Sequence, residues 1–292
     1  MTEATPVVHG GTADPAILDF SANTNPAIPV GAEAVFSRSF ERCDRYRQAH
    51  PAYTAAVARH CGCPSGWVVP TGGGIAALSL AITALTHAEA VVTIAGPTFG
   101  EYARLVRVAG GRCRSVALMD IDAADVSASD LVIVCTPNNP CGRLMGTERR
   151  NRLLEVAAAE QVPIIIDEAF LDFTEAPSAA GHPAALVARS ETKLFGLPGL
   201  RAGALVVPPR YRERVEAVVE RNLDVPSFAV EELAGALGMS RRHLTRRMKE
   251  AFGTAPAAYI RARRLDRAKT LLAGAPPSVA AVPETLGFRS AS

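Results

Sequence analysis

Two hydrophobic rhythms alternate along the chain. Short apolar runs, Val91 to Ile94, Ser115 to Leu118, Leu131 to Cys135, Ile164 to Asp167 and Leu186 to Ser190, read as strands. Longer stretches between and after them, Tyr102 to Ala109, Thr147 to Gln161 and Pro209 to Arg221, space their apolar residues three and four apart and read as helices. Upstream, a helix is expected from about Pro51 to Cys61 with a proline in its first turn, then a strand from Trp67 to Pro70 and an apolar helix from Ile75 to Leu85. Before these, residues 9–11 and 18–26 form an irregular arm of polar, turn-forming residues. Strands that alternate with helices predict an α/β domain with a mainly parallel sheet flanked by helices. In such sheets ligands bind beyond the carboxyl ends of the strands.

Polar residues cluster at those ends. Thr71-Gly72-Gly73-Gly74 joins a strand to a helix and exposes N–H groups at the positive end of the helix dipole, where a phosphate can sit; a tight connection would use the same glycines. Thr136-Pro137-Asn138-Asn139-Pro140-Cys141-Gly142 follows one strand and Asp167-Glu168-Ala169-Phe170 ends another. Ser190-Glu191-Thr192-Lys193 runs through a Gly-Leu-Pro-Gly-Leu turn to Arg201 and Gly203. Alone, Lys193 reads better as a solvated lysine beside a surface turn. Together, an amide, an acid, an amine and a glycine cradle at successive strand ends point to one site. An amine nucleophile with hydroxyls and a guanidinium nearby suits pyridoxal phosphate, whose aldehyde bonds an amine and whose phosphate needs donors.

These motifs resemble the fold-type I pyridoxal-phosphate enzymes related to histidinol-phosphate aminotransferase. Within that family the likeness is to the L-threonine-O-3-phosphate decarboxylases of cobalamin biosynthesis. It is carried by His9-Gly10-Gly11, residues 19–26, Pro97-Thr98-Phe99-Gly100-Glu101-Tyr102, Pro137-Asn138-Asn139-Pro140, Asp167-Glu168-Ala169-Phe170 and the Lys193 stretch, over about residues 7–228. The resemblance implies that Lys193 bonds the cofactor and moves protons, while Asp167 faces the pyridine nitrogen and keeps it protonated. It implies that Asn139 meets the ring hydroxyl and Phe99 stacks on the ring. Gly73, Gly74, Ser190, Thr192 and Arg201 would hold the phosphate, with Tyr46 reaching a partner's phosphate across a homodimer interface. His9 and Asn23 match positions near the substrate, a phosphorylated amino acid. Departures are Tyr46-Arg47-Gln48-Ala49-His50-Pro51, where an aromatic-Pro-Asp stretch is usual, and Cys141, where threonine is common. Phe170 lacks the hydroxyl that many aminotransferases place on the ring, which agrees better with the decarboxylase branch.

The tail differs in kind. The chain's net charge of +2 conceals a split: residues 229–292 carry 11 Lys and Arg against 5 Asp and Glu, and the remainder carries 20 against 24. Residues 230–249 read as an amphipathic helix ending at Gly238 and a second, arginine-rich helix capped by Ser240, the spacing of a helix-turn-helix. Arg241, Arg242, Arg246 and Arg247 would meet DNA, although basic helices are also ordinary solvated surface. The motifs Met239-Ser240-Arg241-Arg242-His243-Leu244, Phe252-Gly253-Thr254-Ala255-Pro256 and 263–269 resemble the AraC-type DNA-binding domain. A two-domain chain is therefore expected. Residues 1–228 form a cofactor-binding domain lacking the family's small carboxyl-terminal domain, and residues 229–292 an AraC-type domain cut short in its second helix-turn-helix. There Pro283 falls inside a helix at a cost of about 3 kcal/mol.

Three functional classes follow: a decarboxylase with an unusual tail, a cofactor-binding transcription regulator, or a recombined product disabled in catalysis. A histidinol-phosphate-type aminotransferase is the less favoured enzyme. With 48% hydrophobic and 21% charged residues the chain is expected to fold as a globular protein. Its apolar runs are too short to span a bilayer and nothing marks the amino terminus for secretion, so a cytoplasmic location without membrane contact is expected. Six scattered cysteines match no zinc or redox pattern, so reduced thiols and no metal are expected.

Overall fold

The computed structural model describes residue 16 and residues 23–40 and 51–224. The chain divides into two compact units, Met1–Val215 and Glu216–Ser292, and the elements below belong to the first except for the end of the last helix. Seven strands form one sheet: β1 (Val68–Thr71), β2 (Val91–Gly96), β3 (Arg112–Ala117), β4 (Leu131–Cys135), β5 (Ile164–Asp167), β6 (Ala185–Ser190) and β7 (Gly203–Val206). Their order is β1-β7-β6-β5-β4-β2-β3, with β7 antiparallel to both neighbours and every other pair parallel. The helices are α1 (Ala32–Phe40), α2 (Pro51–Cys61), α3 (Gly74–Leu85), α4 (Glu101–Val108), α5 (Ala123–Ser127), α6 (Thr147–Glu160), α7 (Glu191–Leu194) and α8 (Pro209–Asp224).

Successive strand residues point to opposite faces, so each apolar run feeds two cores at once. Val132, Val134, Ile164, Ile166, Ala185 and Val187 pack with Val57 and Ala58 of α2, Val126 of α5 and Leu153, Leu154 and Ala157 of α6. Leu131, Ile133, Cys135, Ile165, Leu186, Ala188 and Leu205 pack with Ala77, Leu78, Ala81 and Ile82 of α3, Tyr102, Leu105 and Val106 of α4 and Tyr211 of α8. Full burial of a residue such as Ile133 or Ile165 contributes roughly 1.5–3 kcal/mol, and the two layers together hold the sheet between helices.

The expected α/β architecture is present, and β4, β5 and α2 have the bounds read from the apolar pattern. α6 stops one residue earlier than expected, because Gln161 turns into the left-handed region at φ 61° and closes the helix. β3 begins at Arg112 rather than Ser115, since the polar Arg112, Cys113 and Arg114 pair in register with Val91, Val92 and Thr93 at the sheet's edge. Four elements go beyond the expectation: α1, the five-residue α5 held by reciprocal Asp122 and Asp125 capping bonds, the short α7 and β7. The carboxyl-terminal segment read as AraC-type, with Arg241, Arg242, Arg246 and Arg247, lies outside the described residues, as do His9 and Tyr46. Among the described residues no helix is long and apolar enough to cross a membrane.

Candidate functional site

The strand order brings together stretches that are far apart in sequence. Gly203, the first residue of β7, pairs with Thr71 at the end of β1 on one side and with Ser190 at the end of β6 on the other. The Gly72-Gly73-Gly74 turn, the Ser190-Glu191-Thr192-Lys193 stretch and Arg201 therefore converge at one edge of the sheet. The packing there is tight. A Cβ on Gly73, which sits at φ 92°, would come within 2.8 Å of the Arg201 guanidinium, and one on Gly203 would meet the Gly73 backbone at 2.6 Å. Glycine is required at both positions. A Cβ on Gly74 would touch the Ser190 side chain at 3.0 Å, which shows how close that hydroxyl lies to the start of α3.

This corner is a set of donors. α3 starts at Gly74 with no side-chain cap, so its first N–H groups face the corner at the positive end of the helix. The buried hydroxyls of Ser190 and Thr192 lie 2.8 Å apart. Arg201, in the left-handed region at φ 52°, has one guanidinium nitrogen 3.4 Å from the Pro198 carbonyl and another against Gly73. The five residues expected to hold a phosphate are thus brought together.

Lys193 lies on α7, directly after β6, half-buried with its Nζ 5.7 Å from the centre of the Phe170 ring. Burial, and then the charge of Arg201, hold its amine below the usual lysine range, while Asp167 pulls the other way. The arm docks here as well: Asn25 donates its N–H to the Lys193 carbonyl and its side-chain amide to the Leu194 carbonyl, both at 2.9 Å. Sequence reading placed Asn23 near the substrate. Asn23 is exposed, and Asn25, two residues on, makes these contacts.

Asp167 follows Ile166 at the end of β5 and so turns to the α3–α4 face. Its Oδ1 accepts the Ala169 N–H at 2.9 Å and its Oδ2 accepts the Tyr102 hydroxyl at 2.6 Å. Burial pushes this carboxyl above its ordinary range, partly offset by the Tyr102 and Ala169 bonds and the charges of Arg189 and Lys193. Tyr102 ends the Pro97 to Tyr102 motif and begins the helix expected from Tyr102 to Ala109, and the sequence assigns it no role in the site. Its hydroxyl lies among the buried residues of α4, Glu101, Tyr102, Leu105 and Val106, and its partner could be known only from the fold. Phe99, in the turn after β2, meets Tyr102 edge-on with ring centres 5.7 Å apart. Asn139 is half-buried beyond β4, and its neighbour Asn138 is fully buried, donating to the Pro97 carbonyl at 2.9 Å and so tying the turns after β2 and β4 together.

The sequence pattern of the aminotransferase class I and II family matches residues 16–264. The chain belongs to that family. The matched segment includes residues 229–264, part of the tail expected from its motifs to be a separate domain. Curated relatives include threonine-phosphate decarboxylases from Sinorhizobium sp, 36% identical over 69% of this chain, and from Salmonella typhimurium, 29% identical over 67% of it. A histidinol-phosphate aminotransferase from Haemophilus influenzae is 28% identical over 73% of the chain. The chain spans only 58–63% of the length of these relatives. Among solved structures, L-threonine-O-3-phosphate decarboxylase from Porphyromonas gingivalis superimposes with a TM-score of 0.59 at 20% identity, over 86% of this chain and 78% of that one. A PLP-bound protein from Clostridium difficile 630 gives 0.59 at 18% identity, over 86% and 70% of the two chains. These likenesses show the α/β fold of the family, whose members depend on pyridoxal phosphate.

The residues present fit that cofactor. A buried carboxylate with a raised pKa favours a cation beside it, as a protonated pyridine nitrogen would be. The Gly73–Arg201 corner offers backbone, hydroxyl and guanidinium donors of the kind a phosphate takes.

Proposed function

We propose that this chain binds pyridoxal phosphate at the carboxyl edge of the sheet, bonded to Lys193, and acts on a phosphorylated amino acid as threonine-phosphate decarboxylases do. The observation that carries the reading is the register of β7, which brings Gly73, Ser190, Thr192 and Arg201 to one corner beside Lys193. When bound, the cofactor supplies an electron sink for charge left at a substrate's α-carbon. The protein's own part is positional and electrostatic. Lys193 presents an amine less protonated than a free lysine, suited to bonding a carbonyl carbon and to carrying a proton at Nζ. Asp167 supplies a carboxyl held in place by Tyr102 and Ala169, Asn139 and Phe99 flank the site, and Gly73, Gly74, Ser190, Thr192 and Arg201 bind a dianion.

Decarboxylation is favoured over transamination because the most identical of the relatives above is a threonine-phosphate decarboxylase and because Phe170, beside Lys193, has no hydroxyl to offer. His9 and Asn23 remain the proposed substrate contacts, and Tyr46 the contact to a partner's phosphate in a homodimer. Division into a cofactor domain over 1–228 and a tail over 229–292 is part of the same proposal, as is a cytoplasmic location. DNA binding by Arg241, Arg242, Arg246 and Arg247 is a second reading, favoured by the tail's charge of +6 against −4 for the remainder.

Incubation with pyridoxal phosphate, borohydride reduction and peptide mass analysis tests the core of the reading. The expected result is one cofactor mass on the peptide containing Lys193 and none in Lys193→Ala. Subsequent addition of L-threonine-O-3-phosphate to the unreduced protein should release carbon dioxide; a keto acid product would instead identify an aminotransferase. No adduct at Lys193 overturns the reading.

A further inference from the structure

Asp167 is 5% exposed and Tyr102 is fully buried, with 2.6 Å between the phenol oxygen and Oδ2. Tyr102 packs among Leu105, Val106, Ile133 and Ala188, where a phenylalanine would fill the same space. Its hydroxyl is thus tolerated in an apolar core because it has Asp167 to donate to. We propose that Tyr102 is a positioning residue for Asp167, holding Oδ2 in one orientation and stabilising the ionised carboxylate, so that α4 sets the acidity of this carboxyl. The consequence for a bound pyridine ring rests on the cofactor reading; the effect on Asp167 does not.

The titratable groups that face Asp167 are Tyr102 from α4, Cys135 from β4 and Lys193 from α7, and the charge of Arg189 on β6 acts on it from the other face of the sheet. Burial first, and Asp167 next, push the Cys135 thiol up to about 12, so it stays neutral at physiological pH. A hydrogen bond to a carboxylate is stronger than one to a neutral carboxyl, so removing the hydroxyl costs the ionised form more. The carboxyl's pKa, already raised by burial, then rises further. A folded state that binds a proton more tightly than the unfolded chain loses stability as pH rises through the interval between the two pKa values. Without the phenol that interval extends upward, and the deficit relative to the parent grows with pH.

The test is Tyr102→Phe in the full chain without cofactor, with Tyr211→Phe as a control that removes a hydroxyl from another buried ring. Thermal midpoints are measured from about pH 5 to about pH 8. The Tyr102→Phe deficit should widen by about 2–4 °C over that range while that of Tyr211→Phe stays level. A deficit independent of pH, or one that parallels Tyr211→Phe, overturns the proposal. Should Tyr102→Phe fail to fold, Asp167→Asn, which can still accept from the phenol, must flatten the parent's own decline over the same range; an unchanged decline overturns it equally. A parent that forms no Lys193 adduct would sink the cofactor reading and leave these outcomes to be read as they stand.

Discussion

Asp167 and Glu168 are adjacent acids with different surroundings, because alternation along β5 turns one to the α3–α4 face and the next to the opposite face. Glu168 is buried against Arg189, with Oε2 3.2 Å from one guanidinium nitrogen, and it also accepts from the Ser178 hydroxyl at 2.6 Å and the Ala179 N–H at 2.7 Å. Arg189 bonds Asp172 at 2.5 Å, and Asp172 lies 2.7 Å from His60 on α2. A buried ion group is tolerated when its charges are paired in this way, but losing one member strands the others. Arg189→Met is therefore expected to lower stability by about 3–5 kcal/mol, read by urea denaturation. Its effect should depend on pH. Burial pushes the Asp172 carboxyl up, but Arg189 and His60 together outweigh burial and hold it below the ordinary range. Its contribution is complete above about pH 4 and is lost as pH falls through the depressed value, so the acid limb of the stability curve should flatten in Arg189→Met. For Lys193, the charge of Arg201 works with burial to lower the amine's pKa. In Arg201→Leu the amine should be more protonated at neutral pH, and borohydride trapping of pyridoxal phosphate should need a higher pH than in the parent.

At the scale of elements, β7 assembles the corner. It is four residues long, wholly buried, and antiparallel between two strands that run the other way. Gly203→Ala would drive a methyl group into the backbone of Gly73 and the carbonyl of Arg189, which cannot retreat as a flexible side chain could. A loss of about 1–3 kcal/mol is expected, together with weaker retention of pyridoxal phosphate on gel filtration. Ile165→Ala, in the middle of β5, should cost about 2–5 kcal/mol in the same denaturation assay, because its cavity is closed on both sides by strands and helices. The strands with strong apolar runs were legible in the sequence because burial on both faces demands them. β7 was not, since Gly203-Ala204-Leu205-Val206 is too short to show a period and becomes a strand only by pairing with β1 and β6. α5 was equally hidden, being stabilised by two short capping bonds rather than by an apolar stripe.

At the scale of the whole molecule, α1 and the arm before it expose Ile28, Val30, Val35 and Phe36, each more than half accessible. Singly exposed apolar residues are ordinary, but four within nine positions are what a second copy would cover in the proposed homodimer. Phe36→Asp should then shift the sedimentation of the full chain from dimer toward monomer. A parent that sediments as a monomer would remove the homodimer from the proposal and leave the site within one chain.

The sequence by itself determined the chemistry: an amine, an acid, an amide and glycine-rich turns, each placed at a strand end by local pattern and turn preference. Those properties are local, since side-chain type, strand alternation and turn geometry depend on near neighbours. Only the tertiary structure decided which ends meet. That β7 lies antiparallel between β1 and β6, so that Arg201 and Gly73 share a corner, depends on pairing between residues more than a hundred positions apart. That Tyr102 reaches Asp167, and Asn25 the Lys193 carbonyl, depends on how α4 and the arm pack against strands whose order no local signal encodes.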